Sequence, residues 1–345
     1  MLRFECDYTE GCIPEILEAI SRENHTQLKG YSEDPICDRA RAKIRTLCGR
    51  EDADVHFLVG GTQTNTTVIS AALRPYQGVI SPDKGHIACH ETGAIEATGH
   101  KVIALPTSNG RLTAEQIDAC CAAHWADASF EHIPQPAMVY ISHPAENGSL
   151  YQRKDLEEIR RVCDKWNLTL FVDGARLGYG LVSPGTDVTL QDLARLTDVF
   201  YIGGTKVGAL FGEAVVITKE SLKKDFRYMI KRHGGMLAKG WLLGLQFDVL
   251  LEDDRYLKIA DRAVKQALRI KDAFEKKGCK FLMESWTNQQ FPVLDNETMH
   301  KFDGKFSYTV WEPLDDGYTA VRFCTSWATT EEQVDQLVAY IDQVL

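Results

Sequence analysis

The chain lacks several features that would narrow its class at once. It has no Cys-x-x-Cys pair, no internal repeat and no low-complexity segment. Nor does it have an apolar run approaching the ~20 residues that a membrane-spanning helix needs. Basic charge is in deficit: 39 Lys and Arg stand against 49 Asp and Glu, a net charge of −10, with no basic cluster. Nucleic acid and acidic membrane surfaces are therefore poor partners, because a polyanion is held by clustered cations. The start, Met1-Leu2-Arg3-Phe4-Glu5-Cys6-Asp7, has no basic segment followed by an apolar one, so no secretory leader is expected. Ten cysteines are dispersed through helix-like and strand-like segments. That reads as reduced thiols in a cytoplasmic protein rather than a disulfide framework. A metal site needs paired ligands at short spacing. The nearest approach is Cys89-His90, and adjacent residues rarely share one metal, so no metal is expected.

What is present is a globular composition, 44% hydrophobic and 26% charged over 345 residues, enough for one large and one small domain. Seven apolar runs read as strands: Val55–Val59, Gly78–Ile80, Lys101–Leu105, Ala137–Ile141, Thr169–Val172, Val199–Ile202 and Ala214–Ile217. Segments of helical period lie between them: Thr62–Leu73, His90–Gly99, Thr113–His124, Arg153–Trp166 and Leu190–Leu196. This alternation predicts an α/β fold, a mostly parallel seven-stranded sheet with helices on both faces. Helices are also expected over Pro14–Glu23 and Ile36–Cys48. Beyond about residue 250 the pattern becomes α+β. A long helix (Tyr256–Lys277) leads to strands near Lys280–Met283, Tyr308–Trp311 and Ala320–Cys324, then to a last helix, Thr330–Leu345. A large domain is therefore expected over residues 1–250 and a smaller C-terminal one over 251–345.

Four segments carry candidate chemistry. Gly60-Gly61-Thr62-Gln63 follows a strand and opens a helix, and free backbone N–H groups at such a place form an anion site. The bland alternative is a glycine turn capped by Thr62. Asp173 ends a buried strand, where open α/β sheets place ligand contacts. A carboxylate there can hold a pyridine nitrogen protonated, or can merely cap the next turn. Lys206 follows a strand and the pair Gly203-Gly204. It is either a Schiff-base amine, which requires a lowered pKa, or an exposed turn residue. His86 offers a ring to stack on a planar cofactor, or is a hydrogen-bonded loop histidine. Each signal is weak alone; their ordered occurrence on one βα scaffold is not.

The stretches Gly-Gly-Thr-Gln-Thr-Asn (60–65), His-x-x-x-x-Glu-x-Gly-Ala (86–94), Val-Asp-Gly-Ala-Arg (172–176), Thr-Lys (205–206), Gly-Gly-Met (234–236) and Arg-Phe-Cys-Thr-Ser-Trp-Ala-Thr (322–329) resemble the threonine aldolase and aromatic β-eliminating lyase group of fold-type I pyridoxal 5′-phosphate enzymes. Tyr31-Ser-Glu-Asp-Pro35 is similar to that group's tyrosine-containing N-terminal loop. The resemblance runs nearly end to end. It implies a fold-type I transferase-like fold and pyridoxal 5′-phosphate on Lys206. Asp173 would pair with the ring nitrogen, His86 would stack on the ring, and Gly61 and Thr62 would bind phosphate. Thr205 and Arg176 would flank the cofactor, and Arg322 would fix the substrate carboxylate through its bidentate fork. It also implies an amino-acid substrate and a homodimer or homotetramer; Arg232, just before His233-Gly234-Gly235-Met236, is either a candidate for reaching a neighbour's phosphate or an exposed charge at a helix end. Tyr31 would contact substrate. The implied reaction is cleavage of the Cα–Cβ bond of β-hydroxy-α-amino acids such as threonine and allo-threonine. β-Elimination by a related lyase is the alternative, and a non-catalytic pyridoxal-phosphate-binding sensor or scaffold is a reading from another class.

Two positions depart from the group's pattern. Its Glu-Asn-Thr-His-Asn-Gly segment corresponds to Ser142-His143-Pro144-Ala145-Glu146-Asn147-Gly148, so Glu146 stands where a histidine is usual and His143 lies three residues earlier. Glu146 is the expected base for the substrate hydroxyl, with His143 or water as rivals. Near the start, Arg-Ser-Asp becomes Glu5-Cys6-Asp7, which places Cys6 where a serine hydroxyl would meet substrate.

Overall fold

A computed structural model describes residues 1–314 and 317–345. Its central sheet contains β1 (Asp54–Leu58), β2 (Gln77–Pro82), β3 (Lys101–Leu105), β4 (Gln135–Ser142), β5 (Thr169–Asp173), β6 (Val199–Gly203) and β7 (Glu213–Ile217). Their order across the sheet is β1-β7-β6-β5-β4-β2-β3. The pairs from β3 through β6 are all parallel. Strand β7 alone runs antiparallel to both neighbours, because the Gly204–Gly212 loop is too short for the helical crossover that a parallel return requires.

The continuous apolar runs are explained by burial of both sheet faces. Successive side chains of a strand point to opposite faces. In β4, Met138 and Tyr140 join one core, and Val139 and Ile141 join the other; Val199 and Tyr201 divide from Phe200 and Ile202 in the same way in β6. Helices Pro35–Cys48, Ala114–Ala126, Arg153–Trp166, Leu190–Leu196 and Trp241–Leu250 cover the first-strand side through Ile44, Ile117, Ile159, Leu193 and Leu243. Helices Gly61–Ala72 and Phe226–Arg232 cover the opposite face through Val68, Ile69, Phe226 and Ile230.

A smaller antiparallel sheet is built from Val293–Asp295, Tyr318–Cys324 and Thr309–Pro313, and Gln289–Gln290 also pairs with the Tyr318–Cys324 strand. The chain passes between the two cores twice. Helix Arg255–Lys276 places Tyr256, Ala260 and Ala263 in the large core and Ile270, Ala273 and Phe274 in the small one. The first residues also belong with the small core. Leu2–Arg3 pairs in parallel with Phe306–Ser307, and Phe4 packs beside Phe323.

Three local expectations need correction. His90–Gly99 is not one helix: a short helix (His86–Cys89) and a 3₁₀ turn (Glu96–Thr98) flank Thr92 and Gly93, whose positive φ angles of 53° and 71° break the helical path. Lys280–Met283 forms no strand. Phe281 makes only an isolated bridge to Pro292, a residue with no N–H to extend a ladder. The helices Leu177–Val182, Phe226–Arg232 and Trp241–Leu250 were not foreseen. The last is apolar nearly all round and shows little helical period.

Candidate active site

The chain reverses its direction of progress across the sheet between β2 and β4. Loops at the carboxyl ends of parallel strands open there into a crevice, the usual ligand position in open α/β sheets. Asp173 is the last residue of β5 and is buried. Its Oδ2 accepts hydrogen bonds from the Tyr140 hydroxyl (2.6 Å) and Asn65 Nδ2 (3.2 Å), and its Oδ1 accepts the Ala175 N–H (3.0 Å). All three donors are neutral. Burial and neighbouring carboxylates push the Tyr140 phenol far up in pKa, so it stays a donor. Asn65 also donates to Glu91 Oε1 (2.7 Å), and that oxygen meets His86 Nδ1 at 2.8 Å. Burial opposes protonation of His86, but the Glu91 hydrogen bond and the Asp173 charge outweigh it and raise its pKa. Asn65, Glu91 and Tyr140 had not been singled out. The first two sit inside motif stretches already noted, whereas Tyr140 resembles any other core tyrosine of a strand.

Lys206 lies in the turn after β6. The two glycines before it are required by space. A Cβ on Gly203 would lie 2.4 Å from the Ala175 carbonyl oxygen, and one on Gly204 would lie 2.7 Å from that of Gly212. Tyr179 donates its hydroxyl to the Lys206 carbonyl (2.5 Å), and Lys206 Nζ lies 5.9 Å from the Tyr8 ring centroid. Burial and the Arg176 charge lower the amine's pKa, against the pull of Asp7, Asp173 and Glu213. Thr205 is turned away from the crevice. Its hydroxyl donates to Glu213 Oε1 (2.8 Å) and accepts the Gly212 N–H (3.0 Å), so its one proton is already committed.

Arg176 forks onto Asp7, Nε to Oδ2 at 2.7 Å and Nη2 to Oδ1 at 3.0 Å, and Asn288 Nδ2 donates to the same Oδ2 (3.0 Å). Burial would raise the Asp7 pKa, but Arg176 and Lys206 hold it down at about 2. Asp7 and Asn288 escaped the sequence reading because their partners are distant in the chain. Arg322 is fixed by the Glu5 carbonyl (2.8 Å), by Gln289 Oε1 (3.1 Å) and by the Trp311 ring 5.3 Å away, while its buried Nε has no partner among the described residues. Cys6 stands in the chain between Glu5, whose carbonyl accepts from Arg322, and Asp7, which accepts from Arg176, and burial raises the pKa of its thiol.

Glu146 joins the crevice. Its Oε1 accepts the Ser142 hydroxyl (2.6 Å) and the His86 N–H (2.8 Å), and burial raises its pKa. His143 does not join it. Its ring is fully buried near Tyr151, neither ring nitrogen has a partner among the described residues, and burial holds its pKa down at about 4. Helix Gly61–Ala72 follows its cap residue Gly60, and among the described residues no side chain caps its first N–H groups; a Cβ on Gly61 would come 3.2 Å from the Tyr201 hydroxyl. Thr62 is the second helical residue, not the cap, and is exposed. Tyr31 and Arg232 lie apart from the cluster. Tyr31 is 46% exposed with Lys231 Nζ 5.3 Å from its ring, and Arg232 is exposed at a helix end.

Known proteins match this architecture and sequence. The beta-eliminating lyase family matches residues 7–297. A low specificity L-threonine aldolase from Pseudomonas sp. (strain NCIMB 10558) is 28% identical, with 99% of this chain and 98% of that one aligned. The structure of Leishmania major threonine aldolase superposes with a TM-score of 0.97 at 44% identity, covering 99% of each chain. A Thermus thermophilus aspartate aminotransferase mutant superposes at 0.73 with 16% identity, a likeness of fold alone. The architecture is that of fold-type I enzymes, and with matches that run from end to end the chain belongs to the beta-eliminating lyase family.

Proposed function

We propose that this protein uses pyridoxal 5′-phosphate to cleave the Cα–Cβ bond of β-hydroxy-α-amino acids, threonine and allo-threonine among them, to glycine and an aldehyde. The observation that carries the reading is the convergence of an amine with a lowered pKa (Lys206), a buried carboxylate with only neutral donors (Asp173) and an uncapped helix start at Gly61. Sequence likeness to two proteins named threonine aldolase supports the reaction class.

The residues present fit the cofactor. Asp173 has no hydrogen-bonded cation among the described residues, and a buried carboxylate of that kind gains from a protonated ring nitrogen. The Gly61 cradle admits an anion where any side chain would crowd the Tyr201 hydroxyl. Lys206 would hold the aldehyde, Gly61 and Thr62 the phosphate, and His86 the ring face. Bound there, the cofactor would supply an electron-accepting ring conjugated to the substrate's α-carbon.

The chain's own residues do the rest. Arg322, with a free Nε–H, binds the substrate carboxylate, and Arg176, held rigid by Asp7, sits beside it. Together they orient the amino acid so that its Cα–Cβ bond is the one aligned to break. Glu146 accepts the proton of the substrate hydroxyl as the aldehyde carbon departs. Its pKa, raised by burial, makes it a stronger base than an exposed glutamate. The Glu91 bond holds the His86 ring in one orientation. A second reading, β-elimination, has the family's own name in its favour, and Lys206 would then remove the α-proton. The ten cysteines, all unpaired, suit a reducing cytoplasm.

The test offers threonine, allo-threonine, serine and phenylserine to the wild type and to Glu146→Gln and His143→Ala. Aldehyde with glycine is the expected product. Keto acid with ammonia would move the assignment to β-elimination. Glu146→Gln should lose at least ~100-fold in kcat on threonine while glycine still perturbs the cofactor spectrum. His143→Ala should lose stability rather than rate. The reverse pattern would overturn the role given to Glu146.

A further inference from the structure

Three buried carboxyl groups, Asp7, Asp173 and Glu213, act on the Lys206 amine, with Arg176 as the opposing cation. Asp7 is taken by Arg176 through a bidentate pair. Asp173 points at the proposed ring-nitrogen position and is bonded by neutral groups. Glu213 remains. It opens β7, in register with Gly203 of β6 and Leu58 of β1, and is 3% exposed. Its Oε2 accepts the Gly204 N–H (3.1 Å) and its Oε1 accepts the Thr205 hydroxyl (2.8 Å), which in turn accepts the Gly212 N–H (3.0 Å). The backbone closes the same turn, with Gly204 N–H and Thr205 N–H both reaching the Gly212 carbonyl at 3.0 and 3.1 Å. One carboxyl group thus secures both ends of the turn that carries Lys206.

We propose that Glu213 is a positioning residue for Lys206, anchoring the turn that bears the lysine and serving as the buried counter-group that governs how readily its amine gives up a proton to react with an aldehyde. This rests on Lys206 being the cofactor-bearing amine. A buried carboxyl with only neutral hydrogen-bond donors is costly as an anion unless a cation lies near. Lys206 and Asp173 influence Glu213 at the crevice, and the Tyr201 and Tyr256 phenols face it from β6 and helix Arg255–Lys276. Burial pushes its carboxyl up to about 8, against the Thr205 hydrogen bond and the Lys206 charge. Burial thus raises the proton affinity of Glu213 and lowers that of Lys206, which brings the two groups closer together in titration, while Arg176 and Asp7 also act on Lys206.

The experiment reconstitutes the protein with pyridoxal 5′-phosphate and follows the bound cofactor's absorbance as pH is raised from weakly acid to alkaline. In parallel, Lys206 of the apoprotein is labelled with an amine-reactive reagent at each pH and quantified by peptide mass spectrometry. Glu213→Gln removes the titrating carboxyl, and with it the negative charge present at the alkaline end, and keeps the size. Both midpoints should fall by about one pH unit, a tenfold loss of proton affinity at Lys206. Thr205→Val loosens the turn without removing the charge and should leave the midpoints unchanged. Unshifted midpoints in Glu213→Gln, or an equal shift in Thr205→Val, would overturn the proposal. If Glu213→Gln does not fold, Glu213→Asp withdraws the charge by one methylene, and midpoints equal to wild type would again overturn it. Loss of cofactor absorbance in wild type, with Lys206 unlabelled at every pH, would sink the reading of Lys206 instead.

Discussion

At the scale of single residues, the crevice works by pairing each buried charge with a group that decides its protonation. Asp7 is the sharpest case. It is fully buried, forked to Arg176, and held at a pKa of about 2 against an ordinary value of 3.8. Its folded pKa is depressed, so its contribution to stability is present above pH 4 and is lost as pH falls toward 2. The shift corresponds to about 2 kcal/mol. Asp7→Asn leaves Arg176 as a buried, unpaired cation. It should cost roughly 3–5 kcal/mol in urea unfolding and flatten the loss of stability between pH 4 and 2. An unchanged midpoint at neutral pH would contradict the role given to this pair. Lys206, Asp173, His86 and Glu146 were legible because each follows an apolar strand within a motif. Asp7, Asn65, Glu213 and Gln289 were not, since their meaning lies in partners remote along the chain, such as the 169-residue separation of Asp7 from Arg176.

At the scale of elements, the seven strands of the central sheet could be read to within two residues at each end, because burial on both faces makes most of them uninterrupted apolar runs. Helices Pro14–Glu23, Arg153–Trp166 and Leu190–Leu196 coincide with the expected spans, since each keeps an apolar stripe facing the core. Helix Trp241–Leu250 has no polar face to reveal its period, because it packs between other helices. Its approach to helix Pro35–Cys48 depends on Gly244. A Cβ there would lie 2.4 Å from Cys37 Sγ and 2.8 Å from Cys37 Cα. The second of these is backbone and cannot rotate away. Gly244→Ala should therefore destabilise the protein by about 2 kcal/mol despite its higher helix propensity, as overpacking does. A melting temperature equal to or above wild type would show that the two helices can separate at little cost.

At the scale of the whole molecule, two candidate site residues do not join the crevice of their own chain. Tyr31 and Arg232 are both exposed, and Tyr228, 76% exposed, lies in the helix that ends at Arg232. Arg227 of that helix donates to the Tyr31 carbonyl and to Glu33, so the patch is a single surface. On a protein with a net charge of −10, an aromatic and basic patch of this kind is the surface proposed to meet a second copy. A closed homodimer or homotetramer is the expected state, with the patch at its interface. Light scattering should give an even multiple of 38.7 kDa. Arg232→Ala should weaken cofactor binding without altering the fold. A fully active monomer would remove this expectation.

The sequence by itself determined the class of fold and the order of the strands along the chain, and it pointed to the lysine proposed to bear the cofactor and the acid proposed for the ring. These depend on local patterns: runs of apolar residues, glycines before a turn, and an acid at a strand's end. Tertiary structure alone decided which acid meets which base. It turned Thr205 onto Glu213, sank His143 into the core while Glu146 stayed in the crevice, and joined the first four residues to the small C-terminal core. The physical reason is that charge pairing and burial are properties of position in space. Strands far apart in the chain are brought side by side by the sheet, and hydrogen bonds between their ends leave no periodic trace in the sequence.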